Sequence, residues 1–157
     1  MVIRHLEEAD YEKIIGVLND WWGGRQMADM LPRLFFKHFK ETSFVYEDQG
    51  RIIAFLSGFV SQTYPTEAYI HFVGVNPDYR GKSLGRDMYE RFFEAVKVRN
   101  CLTVHCVTSP VYKGSIAFHK KMEFVTVPGN LIVNGEHVFK DYDGPDQDRV
   151  VFIKHIT

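Results

Sequence analysis

The most informative stretch of this chain is residues 73–86, which read VGVNPDYRGKSLGR. An apolar, strand-like run ends at Asn76-Pro77, a short basic turn follows, and apolar residues then recur at helical spacing from Leu84 onward. The free N–H groups of a first helical turn point outward, and the helix dipole favours an anion beside them. A strand, a basic turn and a helix start in this order therefore predict a phosphate-binding loop.

The residues of the turn suit this role. Gly81 allows the main chain to approach a phosphate closely, while Arg80, Lys82 and Arg86 supply positive charge at the same place. The alternative is a surface turn whose charges are only solvated, and the strand and helix on either side disfavour it.

Two general phosphate-binding motifs fit this turn incompletely. A P-loop ends in G-K-[ST], as Gly81-Lys82-Ser83 does, but its first glycine should lie where Asn76 stands. A dinucleotide fingerprint needs the pattern G-x-G-x-x-G, and only Gly81 and Gly85 are present. A P-loop-like nucleotide-binding protein is thus the weaker interpretation.

Two segments resemble the GNAT N-acetyltransferases. Residues 80–85, RGKSLG, are similar to the acetyl-CoA loop pattern R/Q-x-x-G-x-G/A after a strand ending V-x-P. The exception is Ser83, where glycine is usual, and serine is compatible with a helix N-cap. Residues 115–124, SIAFHKKMEF, resemble the family's late helix and its exit, S/A-I-x-F-Y/H-x-K-x-G-F. Tyr112 and Glu123 depart from that pattern, at positions where asparagine and glycine are frequent.

The resemblance implies one GNAT-like acetyltransferase domain over residues 1–157. The implied α/β fold has a mixed, mostly antiparallel sheet of about six to seven strands, with about four helices on both faces. It also implies that main-chain groups of Val73 and Val75 bond the pantetheine arm, with the Val75 N–H polarising the thioester carbonyl. The full expected set of acetyl-CoA-binding residues is Val73, Val75, Arg80, Gly81, Lys82, Ser83, Leu84, Gly85, Arg86 and Ser115.

Hydrophobic periodicity and chain breakers predict strands that alternate with helices. The predicted strands are 2–6, 43–47, 51–61, 69–75, 102–107, 124–132 and 149–156, and the predicted helices are 10–19, 31–40, 84–98 and 114–121. The polar residues 134–147 are predicted to form a long loop. Strands alternating with helices after a hairpin predict a mixed sheet covered on both faces.

Composition is that of an ordinary globular domain, with 157 residues, 45% of them hydrophobic and 25% charged. A formal net charge of −1 gives no field that would recruit nucleic acid. No apolar signal segment or membrane-spanning stretch is expected. Cys101 and Cys106 are predicted to face opposite sides of one strand, so neither a disulfide nor a metal site is expected, and a reduced, cytoplasmic protein is predicted. An exposed sheet edge would allow pairing into a homodimer.

His71 is the first candidate for a catalytic base. An alkyl amine has a pKa near ~10.4, so forming the neutral nucleophile at neutral pH costs about 4–5 kcal/mol, and a base that takes the proton is the most useful catalytic group. His71 lies on the strand that enters the loop, shares a face with Tyr69 and Val73 by the period-two rule, and titrates in the working range. Its alternative role is that of a strand histidine bonded to a neighbour. Glu67, in a predicted loop, is the other candidate base.

His119 occupies the position where the family often has a tyrosine that protonates the leaving sulfur. We expect it to act either as that general acid or as a polar wall beside the pantetheine. The wall is favoured, because a thiol pKa near ~8.5 makes the thiolate a tolerable leaving group without an acid.

The sequence NDWWGGR at 19–25 is the candidate acceptor-recognition loop. Trp21, Trp22 and Arg25 are expected to contact the acceptor, since the connection between the first two helices borders the acceptor site in GNAT-like folds. Arg25 would hold a carboxylate or phosphate. Alternatively, at least one tryptophan packs inside and Arg25 is solvated. On weaker grounds, the opposite wall is assigned to the loop residues His137, Lys140, Tyr142 and Asp143.

The predicted function is acetylation of a primary amine of a small molecule, with acetyl-CoA as the donor. A non-catalytic acyl-CoA-binding or sensing domain is the alternative, with Ser83, Tyr112 and Glu123 as marks of divergence. The sequence leaves the acceptor open among polyamine-like compounds, amino acids, antibiotics and protein amino groups.

Overall fold

The computed structural model describes residues 1–157, which form nine strands and four α-helices. The strands are β1 (Val2–His5), β2 (Phe44–Asp48), β3 (Arg51–Val60), β4 (Glu67–Val75), β5 (Thr103–Thr108), β6 (Val125–Thr126), β7 (Leu131–Val133), β8 (Glu136–Val138) and β9 (Val150–His155). The helices are α1 (Tyr11–Trp21), α2 (Leu34–Lys37), α3 (Leu84–Lys97) and α4 (Lys113–Lys121). No helix is both long enough and apolar enough to cross a membrane.

Seven strands form one sheet in the order β1-β2-β3-β4-β5-β9-β6, and β7 and β8 form a separate hairpin. Every neighbouring pair in the sheet is antiparallel except β4 and β5, which are parallel. The predicted fold class, a mixed and mostly antiparallel sheet with helices on both faces, is therefore confirmed.

The parallel pair β4 and β5 opens after three residues. Pairing runs from Glu67 opposite Thr103 to Tyr69 opposite His105 and then stops, although β4 continues to Val75. The remaining residues of β4 pair only with β3. The sheet therefore splits at its centre, and the second half of β4 has one free edge inside the molecule.

Apolar side chains build one core on each face of the sheet. The larger core lies under α3 and contains Phe92 and Met88, together with Leu56 of β3. The smaller core lies under α1 and contains Leu18 and Trp21. Because strand side chains alternate between faces, neighbouring strand residues enter different cores, and the two cores fix both helical layers against the sheet.

A β-bulge in β4 changes which face its side chains occupy. Ser57 of β3 lies opposite Phe72 and Gly58 lies opposite Ile70, so His71 is the extra residue. Ile70 belongs to the larger core and Phe72 to the smaller one, although both have even numbers. The prediction that Tyr69, His71 and Val73 share one face by simple alternation is therefore wrong.

The predicted second helix, 31–40, is wrong in length. Only Leu34–Lys37 is α-helical, and 3₁₀ turns occupy Ala28–Met30 and Lys40–Thr42. Phe39 leaves the helix with a φ of −127°, which places its ring 5.0 Å from that of Phe59 on β3. Tertiary packing of an aromatic ring outweighs helix propensity over these few residues.

The region after α4 also differs from its prediction. The predicted strand 124–132 is two strands, β6 and β7, separated by Pro128, which has no N–H to donate to a ladder. The predicted loop 134–147 contains β8. Asn134 and Gly135 form the tight turn of the β7–β8 hairpin, both at positive φ (50° and 80°).

Candidate active site

The gap between β4 and β5 opens into a cleft of about 1670 Å³. Its floor is the second half of β4, and its walls come from the start of α3, from α4, and from residues 106–112. Residues from 22–30 and 143–149 also line the cleft, and so does the phosphate-binding loop that follows β4. The cleft therefore combines a free strand edge with a loop suited to an anion.

The phosphate-binding loop presents six successive main-chain N–H groups. Those of residues 81–86 have no acceptor in the protein, and the next one, of Asp87, donates to the Ser83 carbonyl at 3.0 Å. Gly81 has a φ of 81°, so the loop uses a left-handed conformation to turn these groups outward. Such a row of N–H groups at the start of a 14-residue helix is suited to a diphosphate.

The basic residues of the loop differ in position. Arg80 and Arg86 line the cleft, and Arg80 also donates a 3.3 Å hydrogen bond to the Trp21 carbonyl. Lys82 is exposed and does not line the cleft. Leu84 is buried at the base of the loop, and Gly85 faces the Phe118 ring, where an added Cβ would lie 3.6 Å away, an ordinary contact. The loop therefore needs glycine at position 81 much more than at position 85.

Ser83 takes the N-cap position of α3, but its side chain makes no capping hydrogen bond. Its φ is 62°, in the left-handed region that favours glycine. Glu123, at the exit of α4, has a φ of 68°. These are the two positions where the GNAT pattern has glycine, so the backbone keeps the glycine conformation although the side chains have changed.

Val73 and Val75 expose main-chain groups to the gap. The Asn76 N–H donates to the Ile53 carbonyl at 2.8 Å. In this segment the N–H and C=O groups of even-numbered residues therefore point towards β3. By alternation, the N–H and C=O groups of Val73 and Val75 point the other way, where β5 has already diverged. Both residues line the cleft, so an extended ligand can pair with β4 as an added strand would.

His71 lies at the bulge and lines the cleft. Its ring stacks on Phe35, with centroids 3.9 Å apart, and its Nε2 lies 2.6 Å from the Met30 carbonyl. Because a carbonyl only accepts, Nε2 carries the hydrogen, which leaves the lone pair on Nδ1. Burial lowers the pKa of His71 below the ordinary value of about 6.5, against smaller raising effects of the Met30 hydrogen bond and the Asp143 carboxylate. The imidazole is therefore neutral at neutral pH.

Glu67 lies away from the cleft. It is the first residue of β4 rather than a loop residue, and its carboxylate is 3.6 Å from His105 Nε2. It does not line the cleft. Of the two candidate bases, only His71 is positioned beside the gap.

His119 is buried in the wall of the cleft with both ring nitrogens engaged. Nδ1 lies 2.7 Å from the Ser115 carbonyl, so it carries the hydrogen, and Nε2 accepts from the Tyr89 hydroxyl at 2.7 Å. Burial lowers the pKa of His119 and raises that of Tyr89. His119 Nε2 thus has no proton to give to a leaving thiolate, which favours its role as a polar wall. Ser115 also lines the cleft, one turn before His119.

Tyr89 is a site residue that the sequence did not single out. It lies on α3, is only 2% exposed, and reaches the wall of the cleft. Its spacing from Leu84 and Phe92 is that of an ordinary core position, which is why the pattern gave no signal.

The two tryptophans of the candidate recognition loop have different positions. Trp21 is packed in the smaller core, 6.2 Å from the Phe55 ring, so its assignment to acceptor binding is wrong. Trp22 lines the cleft and meets the Phe72 ring edge-on. Arg25 is exposed, does not line the cleft, and lies over the Tyr112 ring at 5.1 Å. Of these three residues, only Trp22 lines the cleft and can contact an acceptor.

The wall opposite Trp22 comes from the segment before β9. Asp143 and Arg149 line the cleft and are joined by a 2.8 Å ion pair. Of the other residues assigned to this wall on sequence grounds, none lines the cleft; they are His137, Lys140 and Tyr142. The segment therefore contributes a pair of opposite charges to the lining of the cleft.

Known proteins resemble this chain in both sequence and fold. A model described as the Acetyltransferase (GNAT) family matches residues 3–124. An L-2,4-diaminobutyric acid acetyltransferase of Virgibacillus pantothenticus is 29% identical over 96 residues, which cover 59% of this chain and 60% of that relative. The chain thus spans 60% of the length of this relative.

Two crystal structures illustrate the shared fold. Ard1 from Thermoplasma volcanium superposes with a TM-score of 0.79 at 19% identity, over 99% of this chain and 97% of that one. Aminoglycoside 6'-acetyltransferase type Ii superposes with a TM-score of 0.74 at 14% identity, over 100% of this chain and 98% of that one. At these identities the likeness concerns the fold alone.

Proposed function

This chain belongs to the acetyltransferase (GNAT) family, and we propose that it transfers the acetyl group of acetyl-CoA to a primary amine of a small molecule. One observation carries the proposal. A single cleft runs from a row of free main-chain N–H groups, past an unpaired strand edge, to a neutral histidine. Acetyl-CoA has the matching order of parts, since a diphosphate, an amide-bearing arm and a thioester follow one another.

The chain's own groups suit the donor at each point. The N–H groups of residues 81–86 bind the diphosphate, with Arg80 and Arg86 beside them. The free main-chain groups of Val73 and Val75 bind the amides of the pantetheine arm, and Ser115 lines the same cleft. Most of these contacts come from the main chain, so the exposed Lys82 side chain is free to vary.

The reaction forms a C–N bond and breaks a C–S bond. The neutral amine attacks the carbonyl carbon of the thioester, the sulfur leaves with the electron pair as the CoA thiolate, and one amine proton goes to a base. His71 is the proposed base through Nδ1, directly or through one water, since Nε2–H is held by the Met30 carbonyl. Its lowered pKa keeps it unprotonated at neutral pH, and the bulge that places it next to the gap is a common device beside active sites.

His119 and Tyr89 have a supporting part in this proposal. The hydrogen bond between them, and the one that His119 donates to the Ser115 carbonyl, hold this wall of the cleft in place. Solvent protonates the thiolate after it leaves, because a thiol pKa near ~8.5 makes its departure tolerable without an acid.

A small-molecule acceptor is favoured by the cleft lining around His71 and by a relative. Met30, whose carbonyl accepts from His71, lines the cleft, as do Trp22, Met27 and residues from 143–149. The relative named for L-2,4-diaminobutyric acid acts on a compact amine. The acceptor proposed for this chain is therefore a compact amine as well.

The test compares small primary amines with a peptide that has a free N-terminus, using acetyl-CoA as the donor and thiol release as the readout. We expect kcat/KM to be highest for a small amine. A higher kcat/KM for the peptide would contradict the small-molecule acceptor. CoA binding without any amine-dependent thiol release would favour the acyl-CoA-sensing alternative.

A further inference from the structure

Arg149 is the most deeply buried cation in the wall of the cleft. Its side chain is only 10% exposed, and it lies immediately before β9. It donates from Nε to Asp143 Oδ2 at 2.8 Å, from Nη1 to the Asp148 carbonyl at 2.8 Å, and from Nη2 to Gln147 Oε1 at 3.0 Å. A buried guanidinium is therefore neutralised by one carboxylate that is itself half exposed.

Both members of this ion pair keep unused hydrogen-bonding capacity. A guanidinium has five N–H donors, and three of those of Arg149 are engaged. The Asp143 carboxylate accepts through Oδ2 alone, so Oδ1 has no partner in the protein. The two remaining N–H groups of Arg149 and the free Oδ1 of Asp143 can therefore pair with a ligand that carries both a hydrogen-bond acceptor and a donor.

The pair lines the same cleft as Tyr69 and His71. The Asp143 carboxylate is close enough to both side chains to favour their protonated forms. The phosphate-binding loop, by contrast, follows the far end of β4, after Val75. A ligand group that reaches the pair therefore belongs to the molecule that His71 would deprotonate, not to the diphosphate of the donor.

We propose that Asp143 and Arg149 bind the α-amino-acid head group of the acceptor. Asp143 accepts hydrogen bonds from its ammonium group, and Arg149 donates to its carboxylate. The acceptor is accordingly a diamino acid, whose second amine, on the side chain, is the one presented to His71. This inference rests on the proposed acetyl transfer for the identity of the reacting amine.

Charge complementarity selects this head group over simpler ones. A plain diamine would bring only positive charge, which Arg149 repels. An amino acid whose single amine reacts would bring only a carboxylate, which Asp143 repels. A zwitterion meets both charges at once, and the cleft-lining Asp146 and Asp148 add to the attraction for its ammonium group.

The test uses three related probes on the full chain with CoA bound. L-2,4-diaminobutyric acid has both head-group charges, 4-aminobutyric acid lacks the α-amine, and 1,3-diaminopropane lacks the carboxylate. By titration calorimetry we expect the diamino acid to bind at least about 10-fold more tightly than either truncated probe, the effect of one charged hydrogen bond. Equal affinities for the three probes, or no binding of the diamino acid, would overturn the inference.

Variants separate the two halves of the head-group site. Asp143→Asn should weaken the binding of diaminobutyric acid by about 10-fold and should not weaken that of 4-aminobutyric acid, because that probe has no α-ammonium to lose and is freed from repulsion by the carboxylate. Asp20→Asn, an exposed aspartate that does not line the cleft, is the matched control and should change neither. If Asp143→Asn weakens both probes equally, the ion pair has only a structural role and the inference is wrong.

Turnover distinguishes this inference from the proposed function. Equal kcat/KM for the three amines would overturn the head-group site and leave acetyl transfer intact. Selective binding of the diamino acid without its acetylation would support the head-group site and contradict the proposed reaction.

Discussion

Replacing Gly81 with valine should weaken CoA binding by about 10- to 100-fold. Gly81 has a φ of 81°, and an added Cβ would meet no atom within 4 Å, so the penalty is conformational and not steric. The left-handed conformation costs an L-residue about 1–2 kcal/mol, which valine relieves by rotating to negative φ. That rotation redirects the N–H groups next to it. Each charged hydrogen bond contributes about 1.5–3 kcal/mol, so losing one changes Kd by the stated factor.

The measurement is titration of CoA into the parent and into each variant at one salt concentration. Gly135→Val is the matched control, because Gly135 has a φ of 80° and an equally open Cβ position, but lies in the β7–β8 turn. It should destabilise the fold to a similar degree and leave CoA affinity unchanged. Lys82→Ala should weaken binding less than Gly81→Val, because Lys82 is exposed and its charge is screened. Equal CoA affinity in Gly81→Val and the parent would refute the main-chain account of the loop.

Three further outcomes follow from the site. His71→Ala should lower kcat by about 10²–10⁴ at neutral pH, with a smaller loss at high pH where neutral amine is already present, and unchanged activity would return His71 to a structural role. Arg25→Ala should leave the KM for the acceptor and the KM for acetyl-CoA nearly unchanged, because Arg25 contacts the Tyr112 ring and does not line the cleft, and a large rise in the acceptor KM would contradict this. Because burial lowers the pKa of His71 and His119 in the folded state, the unfolded chain binds protons more readily below about pH 6.5. The free energy of unfolding, measured with urea, should therefore be highest above that pH and should decrease as the pH falls through the lower pKa values of the folded state. A constant free energy of unfolding from pH 7.5 to 5 would contradict this prediction.

Features with a local cause could be predicted from the sequence. The phosphate-binding loop depends on a strand end, a glycine at positive φ and the first turn of α3, all within 14 consecutive residues. Helix α1 and the β2–β3 hairpin likewise follow from periodicity and turn residues. The hairpin turn at Asn134-Gly135 could also have been predicted, because this dipeptide is typical of tight β-turns. The same dipeptide would have indicated the strand β8 that follows it.

Features that depend on strand pairing or packing could not be predicted. The bulge at His71 arises from the register of β4 against β3, and it reverses which face Val73 occupies relative to Tyr69. Trp21 and Trp22 are adjacent in sequence, and only the direction of α1 decides that one enters the core and the other the cleft. Tyr89 and Arg149 reach the cleft from elements far apart in the chain, so no local pattern marks them.

Acetyl transfer from a donor to an amine in this cleft is tested most directly by the stoichiometry of the products. Acetyl-CoA is incubated with the protein and a small primary amine, and free thiol and acetylated amine are quantified together over time. Thiol should be released only in the presence of amine and in equal amount to the acetylated amine, and both rates should be strongly reduced in His71→Ala. Thiol release that is independent of the amine, or CoA binding with no acetylated product from any amine, would contradict it.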